Sequence, residues 1–269
     1  MYGYDDIHEN LRFWLDRIVT ALSPAEEPRG VVIYDIGSND GELTIPWTQP
    51  PHQVCAFEPA PAARERLARR IREEKGETAL AATRIIPVAL GAASGEATMQ
   101  LYNDDTFSTL HQRPQADLQQ YRLSPAGTIT VPVEPLDGLR TQQDLPDPQV
   151  IKIDVEGAER DVLQGAMRTL RSAQPAVIME YSCINTENAG YRREELLSLL
   201  SAAGYRHLYG LYRNRDRTLY TASALESCRI WNVVALPETL AGVLHGFTPR
   251  DCLPPDPPEE PSPGATPAG

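Results

Sequence analysis

The sequence predicts an α/β fold organised on a doubly wound, mainly parallel sheet, and three observations carry that prediction. Short apolar runs alternate with segments of helical periodicity, the pattern of strands joined by crossover helices. Several of these runs end in an acidic residue followed closely by glycine or proline, as in YDIGSNDG, FEP and IDVEG. Ligands collect at such strand ends in open α/β sheets. Finally, 269 residues of which 41% are hydrophobic suffice for one medium domain with extras.

Composition excludes several classes. The net charge of −12 opposes nonspecific nucleic-acid binding, because a polyanion would approach a negative surface. No apolar run reaches the ~18 residues that span a bilayer, and MYGYDDIHEN at the start lacks a basic segment followed by an apolar one. The expectation is a soluble, cytoplasmic protein with no membrane partner. Cys55, Cys183, Cys228 and Cys252 show neither CxxC nor Cys/His spacing, so packed or unpaired thiols are expected rather than a zinc site or a disulfide framework.

Ile7, Leu11, Trp14, Leu15, Ile18 and Leu22 recur at helical spacing, which predicts an amphipathic helix over 5–22. It could cover the sheet, close a site or pack on a second subunit in a homodimer. Residues 1–28 are read as a helical extension and 29–248 as the main domain.

Val31 to Tyr34 is a buried strand that breaks into GSNDGE, where glycine permits close approach to the backbone. Pro46, Pro50 and Pro51 leave room for only a turn or two of helix afterwards. A strand over 53–57 ends at Glu58-Pro59, and 62–74 forms a charged helix that Gly76 terminates. Strands follow over 83–90 and 97–102. Residues 103–127 have no periodicity and are the candidate substrate lid.

Beyond the lid, strands are expected over 128–133 and 150–155, then a helix whose face carries Val162, Leu163, Ala166, Met167 and Leu170. A strand over 175–181, a helix over 192–203 and strands over 205–212 and 230–236 complete the domain. Residues 249–269 contain eight prolines and no apolar stripe, and read as a disordered tail.

Asp35 with Asn39, Glu58, Asp154 with Glu156, and Glu180 all fall at predicted strand ends. Gathering like charges on one edge costs free energy, so such a cluster points to function. Glu58, at the end of the second strand, could accept hydrogen bonds from both ribose hydroxyls of a nucleoside cofactor; the structural alternative is a helix-end charge. The first turn lacks the third glycine of GxGxxG, and Asp35 would repel a pyrophosphate. S-adenosylmethionine fits better, since its cationic centres suit Asp35 and its ribose suits Glu58.

These residues resemble the FkbM-type methyltransferases, a branch of the Rossmann-like class I S-adenosylmethionine-dependent enzymes. The matching blocks are DIGSNDGELT at 35–44, AFEPAPAARERL at 56–67, PVAL at 87–90 followed by SGEATM, VPVEPLDGL at 131–139, IKIDVEGAERDVLQGAMRTL at 151–170 and QPAVIMEYS at 174–182. The resemblance implies a seven-stranded sheet whose last strand is antiparallel. It assigns Asp35, Gly37, Asn39 and Thr44 to the cofactor loop, Glu58 to the ribose, and Ala89 and Leu90 to the adenine side. It also places Asp154 and Glu156 towards the reacting groups. The chain departs from the pattern at Ser38, where alanine is frequent, and in the proline-broken segment 46–51.

The activity implied is methyl transfer to a hydroxyl of a small molecule, a sugar or secondary metabolite. A protonated hydroxyl is a poor nucleophile, so a base is needed. Asp154, which also sits at the cofactor edge, is the first candidate, Glu180 the second, and His111 in the lid the third. Capping of the next helix or pairing with Lys152 is the structural alternative for Asp154. Ser108 and Glu156 are candidate substrate contacts. Asp154, Glu156 and Glu180 could also bind Mg²⁺, although the sequence supplies no ligand geometry and no metal is assigned. Tyr205, Tyr209, Tyr212 and Tyr220 could stack on a flat acceptor or simply pack. Two other classes remain open: an inactive nucleoside-binding scaffold, and a nicotinamide-dependent oxidoreductase, which the missing GxGxxG opposes.

Overall fold

The computed structural model describes residues 4–23, 30–212, 217–244 and 247–253. An eight-stranded sheet forms its centre, built from β1 (Val32–Ile36), β2 (Gln53–Phe57), β3 (Thr83–Ile86), β7 (Val150–Ile153), β8 (Ala176–Glu180), β9 (His207–Tyr212), β10 (Leu219–Tyr220) and β11 (Ile230–Leu236). The order across the sheet is β10-β9-β11-β8-β7-β1-β2-β3. β3, β2, β1, β7 and β8 run parallel, and β11 lies antiparallel between β8 and β9. The expected antiparallel last strand is therefore present. The two-residue β10, inside what reads as a polar connection, adds an eighth strand to the seven expected.

Strands buried on both faces need cover on both. One face packs under α2 (Pro61–Lys75) and α3 (Glu77–Ala82) near β2, with Leu67 and Ile71 fully buried. Elsewhere the sheet is covered by α6 (Glu159–Gly165), α7 (Met167–Ala173) and α9 (Glu194–Ala202), which belong with Tyr34, Ile151 and Val177 to the largest core cluster. The single helix expected after Gly157 is divided at Ala166, though its apolar face is the predicted one: Val162, Leu163, Ala166 and Leu170 are all buried.

The helix α1 (Tyr4–Leu22) realises the core-covering role. Leu11, Trp14, Leu15, Ile18 and Val19 are buried in one cluster with Ile33, Val150 and Ile178 of the sheet. Its apolar stripe is thus used inside the chain. Between β1 and β2 only a three-residue 3-10 turn, Ile45–Trp47, survives the prolines, as expected.

The segment read as one strand over 83–90 is broken at Pro87. β4 (Ala89–Leu90) leaves the main sheet and joins β5 (Gly95–Tyr102) and β6 (Pro125–Glu134) in a separate three-stranded sheet. Proline supplies no amide for a continuing ladder. The expected lid bridges β5 and β6. It contains a 3-10 turn, Asp105–Phe107, and a short helix α4 (Gln115–Gln120), while its last residues already belong to β6. The remaining helices, α5 (Leu136–Gln143) and α8 (Cys183–Asn188), gave no signal of their own in the sequence.

Cys183 and Cys228 form a disulfide, which corrects the expectation of unpaired thiols. The two are 45 residues apart and meet because β11 folds back antiparallel beside β8, bringing the residues before β11 against the start of α8. Cys55 is buried and free, and Cys252 is exposed and free. No helix among the described residues is long and apolar enough to cross a membrane. Arg250 and Asp251 bond to the segment around β10, and the rest of the expected tail, from 254 on, lies outside the described residues.

Candidate functional site

At the carboxyl edge of β1, β2 and β7 lies a cavity of about 440 Å³, within the range of small-molecule and cofactor sites. The β1 turn forms its floor, the first turn of α2 and the end of β4 form one side, and the β5–β6 sheet with the lid forms the other.

The turn after β1 is shaped by close contact. Gly37 has φ +76°, and a Cβ there would lie 1.9 Å from the Asp154 carbonyl oxygen. Only glycine allows both the left-handed backbone and this approach of the β1 and β7 ends. Asp35 and Lys152 sit opposite each other in the β1–β7 register. The Lys152 Nζ lies 3.0 Å from Asp35 Oδ1 and donates to the Gly37 carbonyl at 2.7 Å. Asp154 Oδ2 is 4.0 Å from Nζ. The ion pair expected between Lys152 and Asp154 is therefore made chiefly with Asp35. Burial opposes charge on Lys152, but Asp35 and Asp154 outweigh it and raise the ammonium's pKa overall. Burial also raises the Asp35 carboxyl, and Lys152 opposes that rise.

Glu58 lines the cavity and is 5% exposed. Its Oε2 accepts from the Asn39 amide at 2.9 Å and its Oε1 from the Ala60 amide at 2.8 Å. The carboxylate thus ties the β1 turn to the entry of α2. Each oxygen keeps acceptor capacity for a further partner, so turn fastening and ligand contact are compatible. Burial raises its pKa, and those two amides oppose the rise.

On the β7 side, Glu156 adopts φ +55° and Gly157 φ +108°. Glu159 Oε1 accepts from the amides of Val155 at 3.1 Å and Gly157 at 3.3 Å, which holds this turn. The Glu156 side chain pairs with Arg113 of the lid and accepts from Asn185 of α8 at 2.9 Å. Asn185 also donates to Glu180, at 2.9 and 3.0 Å, and accepts from Arg113 at 3.2 Å. Burial, with Asp154 adding to it, pushes Glu156 up to about 8; burial and the neighbouring carboxylates push Glu180 well up.

The lid is clipped down along its first part, at Asp105 and Thr109. Gln100 and Thr109 exchange backbone hydrogen bonds at 2.8 and 3.2 Å, and the Thr109 hydroxyl donates to the Glu156 carbonyl at 2.7 Å. Across the rim, Arg66 of α2 bonds to Asn39 Oδ1 at 3.1 Å and pairs with Asp105 of the lid.

Of the residues the sequence singled out, Asp35, Gly37, Asn39, Glu58, Ala89, Leu90, Ser108, Asp154 and Glu156 line the cavity. Thr44 is buried beneath the turn and lies outside the lining. Glu180 stands behind Glu156, reached through Asn185. His111 is also outside the lining; its ring Cδ2 lies 3.2 Å from where a Cβ on Gly157 would sit, and burial lowers its pKa. Asp154, Glu156 and Glu180 each bring a carboxylate oxygen within 4.8 Å of the others, but two of the three are already engaged by Arg113 and Asn185. The tyrosines pack: Tyr205 donates to the Pro175 carbonyl at 2.6 Å, and Tyr212 meets Tyr220 edge to face.

Sequence reasoning missed Arg113, Asn185, Glu159 and Arg66, together with the apolar wall of Met99, Leu101 and Ile129 from the small sheet. Only Glu159 left a local trace, as an acidic residue in the first turn of its helix.

The arrangement suits S-adenosylmethionine. The Ser38 hydroxyl lies in the lining, buried and without a protein hydrogen-bond partner, as expected of a group that a ligand satisfies. Asp35 supplies buried negative charge beside it, Glu58 supplies acceptors, and Val88, Ala89 and Leu90 supply apolar wall.

Residues 35–207 match the family described as the methyltransferase FkbM domain. Hexuronic acid methyltransferase AglP of Haloferax volcanii is 30% identical over 194 residues, covering 72% of this chain and 70% of that protein. The 2-O-methyltransferase NoeI of Sinorhizobium fredii is 32% identical over 170 residues, covering 60% and 67%. Among solved structures, methyltransferase FkbM from Methylobacillus flagellatus KT aligns with a TM-score of 0.47 at 17% identity, over 77% of this chain and 43% of that one. With its glycine turn, Glu58 and the β7 block all inside the matched span, the chain belongs to the FkbM family of S-adenosylmethionine-dependent methyltransferases.

Proposed function

We propose that this protein methylates a hydroxyl group of a small molecule, a sugar ring in particular, with Asp154 as the base. The observation that carries the reading is the position of Asp154: its carboxylate lines the cavity shared by the cofactor turn and the lid. The names of the two relatives, a hexuronic acid methyltransferase and a 2-O-methyltransferase, support a sugar hydroxyl as acceptor.

The chemistry that S-adenosylmethionine supplies when bound is an electrophilic methyl group. What remains for the chain is to hold cofactor and acceptor, exclude water and take one proton. Asp35, Gly37, Ser38 and Asn39 would hold the amino-acid end, Glu58 the ribose, and Ala89 and Leu90 the base. Ser108 and Glu156 face the acceptor, and the clipped lid shields the cavity from bulk solvent. Asp154 accepts the hydroxyl proton as the oxygen becomes nucleophilic. The Lys152 ammonium lies 4.0 Å from the Asp154 carboxylate. Glu156 and Glu180 orient the acceptor edge through Arg113 and Asn185 rather than taking the proton themselves.

The reading includes a soluble, cytoplasmic enzyme. The Cys183–Cys228 bridge counts against the cytoplasmic part of it, since structural disulfides are rare in reducing cytosol. A homodimer draws no support from α1, whose apolar face is covered within the chain; sedimentation of the pure protein decides it. Calorimetry with S-adenosylmethionine, S-adenosylhomocysteine and NAD tests the cofactor assignment: NAD binding without response to the other two would remove it. Binding of the first two without methyl transfer to any hydroxyl compound would leave a scaffold.

A further inference from the structure

We propose that the acceptor ring entering this cavity carries no negative charge: it is a neutral or amino-bearing sugar, not a uronate or a sugar phosphate. The inference rests on the sugar O-methyltransferase reading and narrows it.

Seven of the cavity-lining residues are carboxylates, and the only lining cation among the described residues is Lys152. A carboxylate on the acceptor, unlike that of S-adenosylmethionine, which brings its own ammonium and sulfonium, would need a cation from the chain to replace its hydration. Each cation near the cavity is already committed. Lys152 is held between Asp35 and the Gly37 carbonyl, at 3.0 and 2.7 Å. Arg113, with 3% of its side chain exposed, is bound to Glu156 and Asn185. At the rim, Arg66 bridges Asn39 and Asp105, while Arg70 pairs with Asp40 at 2.8 Å. Recruiting any of them would strand a carboxylate in or beside the cavity.

The same groups suit a polyol. Asp154 and Glu156 accept hydrogen bonds, and hydroxyls and ammonium groups donate them. The Ser108 hydroxyl, on the lid side of the lining, is buried and has no protein hydrogen-bond partner. It can both donate to and accept from a sugar hydroxyl. Protonation of Glu156, whose pKa is raised by burial, would remove the ionic partner of Arg113, but that guanidinium stays bonded to Asn185 at 3.2 Å and lies outside the cavity lining. Repulsion therefore weakens without becoming attraction.

The test compares matched pairs: methyl glycosides of neutral hexoses and the corresponding methyl hexuronides in the gluco, galacto and manno series, with the 2-amino sugars alongside. Release of S-adenosylhomocysteine gives kcat/KM. The neutral and amino sugars should exceed the uronides by at least about tenfold, since unit charges still interact appreciably across a partly buried site. Equal or better turnover of a uronide overturns the proposal while leaving the methyltransferase reading intact. Asp105→Asn, which releases Arg66 from its lid partner, should move the ratio towards the uronide by several-fold. An unchanged ratio would show that charge does not set the selection and would also overturn it. No transfer to any member of the panel, with S-adenosylmethionine still bound in calorimetry, would remove the sugar O-methyltransferase reading and this inference together.

Discussion

Glu58→Gln separates ligand binding from turn fastening in one residue. The carboxylate accepts one amide from the β1 turn and one from the entry to α2, and it has acceptor capacity left for two ribose hydroxyls. An amide side chain keeps the volume but offers one acceptor oxygen, and its NH₂ would face an amide N–H that the carboxylate had accepted. Hydrogen bonds to charged groups contribute ~1.5–3 kcal/mol each, so losing one of them towards the ribose should weaken S-adenosylmethionine binding by about 10- to 100-fold. Calorimetric titration of the variant measures this directly, with circular dichroism confirming the fold. A modest fall in Tm should accompany the loss, because the Asn39 or Ala60 amide is left without its partner. A Tm that falls while Kd stays within about twofold would refute the ribose assignment and leave Glu58 as a fastening residue only.

Asp154→Asn should lower kcat by ~10²–10⁴, the range of general-base contributions, while Kd for S-adenosylmethionine changes little; a similar loss in both would make Asp154 a cofactor ligand rather than the base. The raised pKa of Glu156, about 8, means the folded chain holds a proton there that the unfolded chain releases near 4.5. Its contribution to stability is therefore fully present below ~4.5 and lost as pH rises to about 8, at up to ~1.4 kcal/mol per pH unit. Urea midpoints across that window should drop with pH, and less steeply in Glu156→Gln. Reduction of Cys183–Cys228, which closes a loop of 45 residues in sequence, should cost about 4 kcal/mol on the loop-entropy relation. Thiol titration in denaturant should count two reactive thiols in the oxidised protein and four after reduction; four from the outset would show that the bridge does not form in the purified protein.

What the sequence made legible follows from the range over which each signal acts. The carboxylate edge could be read because parallel strands buried on both faces are short apolar runs, and the residue after each run marks one common edge. Asp35, Glu58 and Asp154 came together for that reason. The small sheet was not legible. Pro87 interrupts an apolar stretch that otherwise reads as one strand, and nothing local says that Ala89 and Leu90 then pair with residues beyond the lid. Partners across the fold were hidden more completely. Lys152 was matched to Asp154, two positions on and just past the end of β7, whereas its closer partner is Asp35, set by the register between β1 and β7. Arg113 is 43 residues from Glu156 and 72 from Asn185, in a lid whose lack of periodicity gave its position and nothing of its contacts. The cysteine pair depends in the same way on β11 returning beside β8. The division has a functional consequence. On the proposed reading, the cofactor half of the cavity is made of residues adjacent to strand ends and so is written in local pattern, but the acceptor half is assembled by the lid, α8 and the small sheet. The identity of the acceptor therefore rests on long-range contacts, and its charge can be argued only once those contacts show which cations are already bound.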